Sequence, residues 1–216
     1  MYDTEDRHTM FDLYVVTDES LSKGRSNVEI ARLAYEGGAD VVQLRMKDST
    51  KEDMLRDALK IKEIADDYSR YFFVNDNVEV AVESEADGIH LGQSDMPLEK
   101  ASEIVGGKML IGISVTTVDE AIKAYNGGAA YVGVGSIFNT STKPDATQGL
   151  GLDAIYRIRQ AVDIPIVAIG GINKGNIQDV IRAGADCAAV VSAVVSQDDV
   201  AKAAHDLRDL IIKAKL

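Results

Sequence analysis

A chain of 216 residues, 46% of them hydrophobic, is long enough to close one sizeable core, and its formal net charge of −12 excludes a general nucleic-acid or anionic-membrane surface. The single cysteine, Cys187, excludes an intramolecular disulfide and fits a buried thiol in a reducing cytoplasm. No apolar run approaches the roughly 20 residues needed to cross a membrane, and the polar, acidic start MYDTEDRH lacks the pattern of a signal peptide, so a cytoplasmic location is expected.

Residues 1–11 read as a flexible leader and residues 12–216 as one domain. Asp12–Asp18 predicts the first strand. Asn27 is placed to cap a helix through about Glu36, which Gly37 and Gly38 end. Ala39–Asp48 predicts a strand, Lys51–Tyr68 a long amphipathic helix, and Tyr71–Asp76 the next strand, with a short helix to about Glu83. Strands follow at Gly88–Gln93, Leu110–Val115 and Tyr131–Phe138, each before a helical pattern. Ile164–Gly171 and Cys187–Val194 complete the strands, and Asp198–Leu216 reads as a closing helix. Eight strands alternating with helices at about 27 residues per unit predict an α/β chain folded as a parallel eight-stranded (β/α)8 TIM barrel. A weak repeat supports this: Gly38-Ala39-Asp40, Glu85-Ala86-Asp87, Gly128-Ala129-Ala130 and Gly184-Ala185-Asp186 each precede an even-numbered strand. The competing fold is a doubly wound open sheet, but no GxGxxG follows the first strand.

In such a barrel the working residues lie at the C-terminal strand ends. The second strand ends Gln43-Leu44-Arg45-Met46-Lys47-Asp48. Alternation puts Gln43, Arg45 and Lys47 on one face and Leu44 and Met46 on the other. Two cations facing inward are costly without an anion, although a strand-end carboxylate could pair with them instead. The third strand ends Asn75-Asp76 and the fourth leads through His90 to Asp95, so Asp76 and Asp95 should lie close together. Two close carboxylates repel unless a proton or cation sits between them. Oxygen ligands without a His/Cys cluster suggest Mg²⁺, unless both carboxylates simply pair with Arg45 and Lys47. His90 reads as a hydrogen-bonded barrel histidine, and Ser114 as a hydrogen-bonding residue with no histidine evident as its base. After the sixth strand, Asn139-Thr140-Ser141-Thr142-Lys143 supplies adjacent hydroxyls and an ammonium, a set suited to an anion, before Pro144 blocks a helix. Gly170-Gly171 ends the seventh strand with bare backbone, and Val191-Ser192-Ala193 ends the eighth. The loops after these two strands frequently hold a phosphate in barrels.

The motifs QLRMKD at 43–48, VND at 74–76, HLGQSD at 90–95, GIS at 112–114, GSIFNTSTKPDA at 135–146, AIGGI at 168–172 and VVS at 190–192 resemble the thiamine-phosphate synthase family along nearly the whole chain. The resemblance implies a barrel enzyme that joins a hydroxymethylpyrimidine diphosphate to a thiazole phosphate, or its carboxylated tautomer, and releases diphosphate. It implies that Gln43, Arg45, Lys47, Asn75, Ser114 and Lys143 bind the pyrimidine diphosphate, with Leu44 and Met46 in the same segment. Arg45, Lys47, Ser114 and Lys143 would serve catalysis. It implies one Mg²⁺ on Asp76 and Asp95, and a thiazole phosphate on Thr140, Ser141, Thr142, Gly171, Val191 and Ser192. A homodimer is compatible with it. A related thiazole tautomerase would not need the Asp76/Asp95 site. A sugar-phosphate epimerase would need facing acid and base residues, for which no convincing pair stands out. A non-catalytic ligand-binding barrel could keep the phosphate cup and lose the metal.

Overall fold

Short apolar runs bounded by glycines and turn residues give the strands, and longer runs with a 3.6-residue apolar period give the helices between them. The computed structural model describes residues 11–140 and 149–216. The strands are β1 (Leu13–Val16), β2 (Val41–Leu44), β3 (Tyr71–Asn75), β4 (Gly88–Leu91), β5 (Leu110–Val115), β6 (Tyr131–Val134), β7 (Ile166–Ile169) and β8 (Cys187–Val190). All pair in parallel in sequence order, and β8 bonds back to β1 with Tyr14 opposite Ala189. That closure makes the chain a (β/α)8 barrel and removes the open-sheet alternative. The described helices are α1 (Asn27–Glu36), α2 (Lys51–Asp67), α3 (Val78–Glu83), α4 (Leu98–Val105), α5 (Val118–Asn126), α6 (Leu152–Ala161), α7 (Ile177–Arg182), α8 (Ser192–Val195) and α9 (Val200–Lys215). No helix among the described residues is long and apolar enough to cross a membrane.

Strand ends are where expectation and structure differ. Asp76 has φ +63°, which ends β3 one residue early, because a left-handed residue cannot continue an extended strand. Gly170 and Gly171, at φ +104° and +66°, end β7 in the same way. After Val190 the chain turns into α8 instead of running extended to Val194. β2 stops at Leu44, and the Arg45 amide donates to Thr17 Oγ1 at 3.2 Å rather than to a ladder carbonyl. The cap of α1 is Ser26, whose side chain accepts from the Glu29 amide, so Asn27 is the first helical residue and not the cap. Phe11, assigned from sequence to the leader, is 3% exposed and packs edge-on against Tyr71 and Phe73, closing the N-terminal mouth of the barrel.

The repeat before the even strands has a physical role. Asp40 Oδ2 accepts from the Asp12 and Leu13 amides at the start of β1. Asp87 Oδ2 accepts from the Phe72 amide, and Asp186 Oδ2 from the Ile166 amide at the start of β7. Arg70, Lys62 and Arg159 pair with these three carboxylates in turn. Each aspartate therefore holds an amide at or next to the start of the preceding odd strand while a cation balances its charge. The sixth strand has Ala130 at this place and forgoes the device.

Alternating side chains build two apolar layers. Val15, Leu44, Phe72, Val74, Ile89 and Leu91 face the helices. Tyr14, Val41, Phe73, Tyr131, Val167 and Cys187 fill the barrel. Glycines make room for the large interior groups. A Cβ at Gly88 would overlap the Phe73 ring, and one at Gly112 the Tyr131 ring. Cys187 is 1% exposed, and burial pushes its thiol well above the usual range, as suits a structural thiol.

Candidate active site

Above this filled floor, the C-terminal ends of the strands open into two adjoining cavities. The smaller, of about 200 Å³, is lined by Gln43, Lys47, Asn75, Asp76, Asp95 and Ser114, with Tyr14, His90 and Tyr131 beneath. The larger, of about 720 Å³, is lined by Thr140, Gly171, Val191, Ser192 and, again, Ser114. β4 brings His90 to the smaller cavity, and β5 brings Ser114 to the wall that the two cavities share. Gly133, whose Cβ would overlap His90, leaves space between the two side chains.

The acidic pair sits in the smaller cavity. Asp76 and Asp95 lie close enough for their carboxyls to share a proton. Burial, reinforced by Asp95, pushes Asp76 up to about 6, while the ammonium of Lys47 opposes the rise. Asp95 Oδ2 accepts from the Gly92 amide at 2.7 Å, which fixes the turn after β4. Among the described residues no group of three or more His, Cys, Asp or Glu gathers as a metal cage.

Arg45 does not line either cavity. Its guanidinium contacts Asp18 Oδ2 at 3.5 Å, at the end of β1, and its Nε is buried with no hydrogen-bond partner among the described residues. The strand-end carboxylate weighed as an alternative partner thus exists and is Asp18. A single long contact leaves most of the guanidinium's donors for another acceptor. Leu44 is wholly buried in the layer under the helices, and Met46 packs on that layer, so neither side chain faces the smaller cavity. Strand alternation turns the Leu44 side chain outward. Lys143, Ser141 and Thr142 lie outside the described residues.

Around the larger cavity, the Gly171 carbonyl accepts from the Asn173 and Asn176 side chains, and Asn139 Oδ1 accepts from the Gly149 amide. A Cβ on Gly171 would press on Phe138 and the Asn139 carbonyl rather than into the cavity. The first amides of α8 begin at Ser192 on the opposite wall, and such amides lack intrahelical acceptors.

Ser114 has the histidine that the sequence did not reveal. His90 Nε2 lies 2.8 Å from Ser114 Oγ, and Nδ1 lies 2.9 Å from the Tyr131 hydroxyl. A catalytic triad would have a carboxylate behind the histidine, but here a buried phenol holds that position. Gln93, also missed, donates to the Ser114 carbonyl at 2.6 Å. The available signal was the inward alternation of His90 and Ser114 on neighbouring strands.

A family model described as thiamine monophosphate synthase matches residues 13–194. A thiamine-phosphate synthase of Methanocella arvoryzae is 48% identical over 206 residues, covering 95% of this chain and 97% of that protein. One from Chloroflexus aurantiacus is 51% identical over 199 residues, covering 92% of each. The solved thiamine phosphate pyrophosphorylase of Pyrococcus furiosus superposes with a TM-score of 0.89 at 40% identity, over 96% of this chain and 98% of the other. A family model that spans most of the barrel, and relatives that match nearly end to end, agree with the order of motifs around the two cavities: the chain belongs to the thiamine monophosphate synthase family.

Proposed function

We propose that this chain is a thiamine-phosphate synthase that joins a pyrimidine bearing a diphosphooxymethyl group to a thiazole phosphate, yielding thiamine phosphate and diphosphate. The observation that carries this reading is the pair of cavities meeting at Ser114. One holds Lys47 and an acidic pair able to carry a divalent cation, a set that suits a diphosphate. The other is walled by Gly171 and the start of α8, as a phosphate monoester requires.

In the reaction the bond from the pyrimidine methylene to diphosphate oxygen breaks, and its electron pair leaves with the oxygen. The thiazole nitrogen lone pair forms the new C–N bond, so no protein nucleophile is needed. Lys47, Lys143 and the guanidinium of Arg45, held only loosely by Asp18, supply positive charge to the leaving anion. Gln43 and Asn75 orient the pyrimidine, and Thr140, Ser141, Thr142, Gly171, Val191 and Ser192 hold the thiazole phosphate in line. Two close carboxylates, one raised to about 6, fit Mg²⁺, which binds few protein oxygens and keeps water and phosphate ligands. When bound by Asp76 and Asp95, Mg²⁺ supplies charge that neutralises the diphosphate.

The test is purified protein with both substrates, with Mg²⁺ and with excess chelator. Thiamine phosphate formed only with the metal supports the reading. No product would overturn it, and isomerised thiazole in its place would point to the tautomerase. Full turnover in chelator would remove the metal. A pyrimidine substituent series tests cation character at the methylene, and electron-withdrawing groups should slow the chemical step.

A further inference from the structure

The polar chain beneath the two cavities has a direction. Gln43 Nε2 donates to the Tyr14 hydroxyl at 2.7 Å. The Tyr14 hydroxyl lies 3.1 Å from that of Tyr131, which lies 2.9 Å from His90 Nδ1, and His90 Nε2 lies 2.8 Å from Ser114 Oγ. Both tyrosines are about 1% exposed, and burial pushes both phenols above their ordinary range. Each therefore keeps its one proton.

An amide nitrogen can only donate, so the oxygen of Tyr14 is the acceptor at that end. With its oxygen facing Gln43 Nε2, the Tyr14 proton goes to Tyr131. The Tyr131 proton then goes to His90 Nδ1. A nitrogen that accepts carries no proton, so the neutral imidazole must bear its proton on Nε2, which donates to Ser114 Oγ. Ser114 has one proton of its own, and this arrangement leaves it aimed away from His90, at the junction of the cavities.

We propose that Tyr14, Tyr131 and His90 are positioning residues that lock the Nε2–H tautomer of His90 and so hold the Ser114 hydroxyl as a hydrogen-bond donor to the bound ligand. The ligand atom that meets Ser114 is then an acceptor, a heterocyclic nitrogen with a lone pair or a phosphate oxygen, and not an amino group. The identity of the ligand rests on the synthase reading, but the tautomer does not.

The experiment reads the tautomer first. Imidazole ¹⁵N spectra of ligand-free protein, with the His90 signals assigned by their loss in His90→Asn, should show Nδ1 unprotonated and Nε2 protonated. A proton on Nδ1, or on both nitrogens, would overturn the proposal whether or not the protein makes thiamine phosphate. Tyr131→Phe keeps the ring and removes the link. It should mix the two tautomers and lower kcat about tenfold, the scale of one lost neutral hydrogen bond, while the KM of the thiazole phosphate stays within about twofold. Combined with Ser114→Ala it should add little further loss, since both break one chain. Tyr14→Phe breaks the chain one link away and serves if Tyr131→Phe does not fold. An unchanged tautomer in the folded variant, or losses that multiply with Ser114→Ala, would overturn the positioning role. A normal tautomer in a protein without synthase activity would refute the function and leave the lock standing.

Discussion

Asp76 combines backbone strain and perturbed electrostatics at the smaller cavity. It adopts φ +63°, stands beside Asp95, and is raised from 3.8 to about 6, first by burial and then by its neighbour. A carboxyl raised in the folded state binds more protons there than when unfolded. Its contribution to stability therefore falls as pH rises from about 4 to 6, and the full penalty remains above 6. Asn tolerates the left-handed region and carries no charge. Asp76→Asn should thus raise the Tm of metal-free protein at pH 7.5 by about 1–3 °C, a small value because the group is part-exposed, and the gain should shrink toward pH 5. The same variant should weaken Mg²⁺ binding, and wild-type affinity for the ion should fall as pH drops through 6. Thermal scans and metal titrations at the two pH values check both signs. At Lys143 the expected loss is electrostatic. Lys143→Ala should reduce turnover by a larger factor than Ser114→Ala, since a charge-assisted contact is about twice as strong as a neutral one, and single-turnover rates of the two variants decide it. The acidic pair was legible because neighbouring strands end in Asp76 and lead to Asp95. The His90–Ser114 pair was not, since residues 24 apart in sequence come within 2.8 Å only through the pairing of β4 with β5.

Among the elements, the three aspartates ahead of β2, β4 and β8 do work that a propensity reading misses. Their spacing was visible as a repeat, but their partners were not, because each reaches back to an amide at or near the start of the preceding odd strand. Asp186 meets both the Ile166 amide at 2.7 Å and Arg159 at 2.8 Å, with 16% of its side chain exposed. Asp186→Ala should cost about 1–3 kcal/mol, because it removes the acceptor of the part-buried Ile166 amide and the carboxylate that faces Arg159, whose guanidinium keeps its bond to the Ile164 carbonyl. Asp153→Ala removes an exposed helix pair, 3.7 Å from Arg157, and should change stability by no more than about 0.5 kcal/mol. Urea unfolding of both variants gives the comparison, and equal losses would deny the repeat its structural role. Strand termini were the least legible feature. Left-handed Asp76, the glycine pair at 170–171 and the turn into α8 cut the strands short at the rim, where backbone must leave the ladder to meet a ligand.

At the scale of the whole molecule, the barrel opens two adjoining cavities at one mouth, and mutation should separate the two anion sites proposed for them. Gly171→Ala strains a residue at φ +66° and pushes on Phe138 and Asn139, so it should weaken the thiazole phosphate about tenfold and leave the pyrimidine diphosphate within about twofold. Arg45→Ala should do the reverse, since its guanidinium lies at the ends of β1 and β2, on the other side. Calorimetry with each ligand alone, on variants shown to be folded, measures both. Equal weakening of the two ligands by either change would break the two-site map. The sequence by itself determined the alternation of strands and helices, the inward face of each strand, and the rim on which Gln43, Asp76, Asp95 and Ser114 stand, because periodicity is a local property that each segment carries alone. Only the tertiary structure decided that β8 closes on β1, that Arg45 reaches Asp18, that Phe11 plugs the mouth, and that two tyrosines, a histidine and a serine join in one chain. Those contacts depend on register between strands distant in sequence. Packing of the entire barrel sets that register, including the room left by glycines at 88, 112 and 133, and no single segment encodes it.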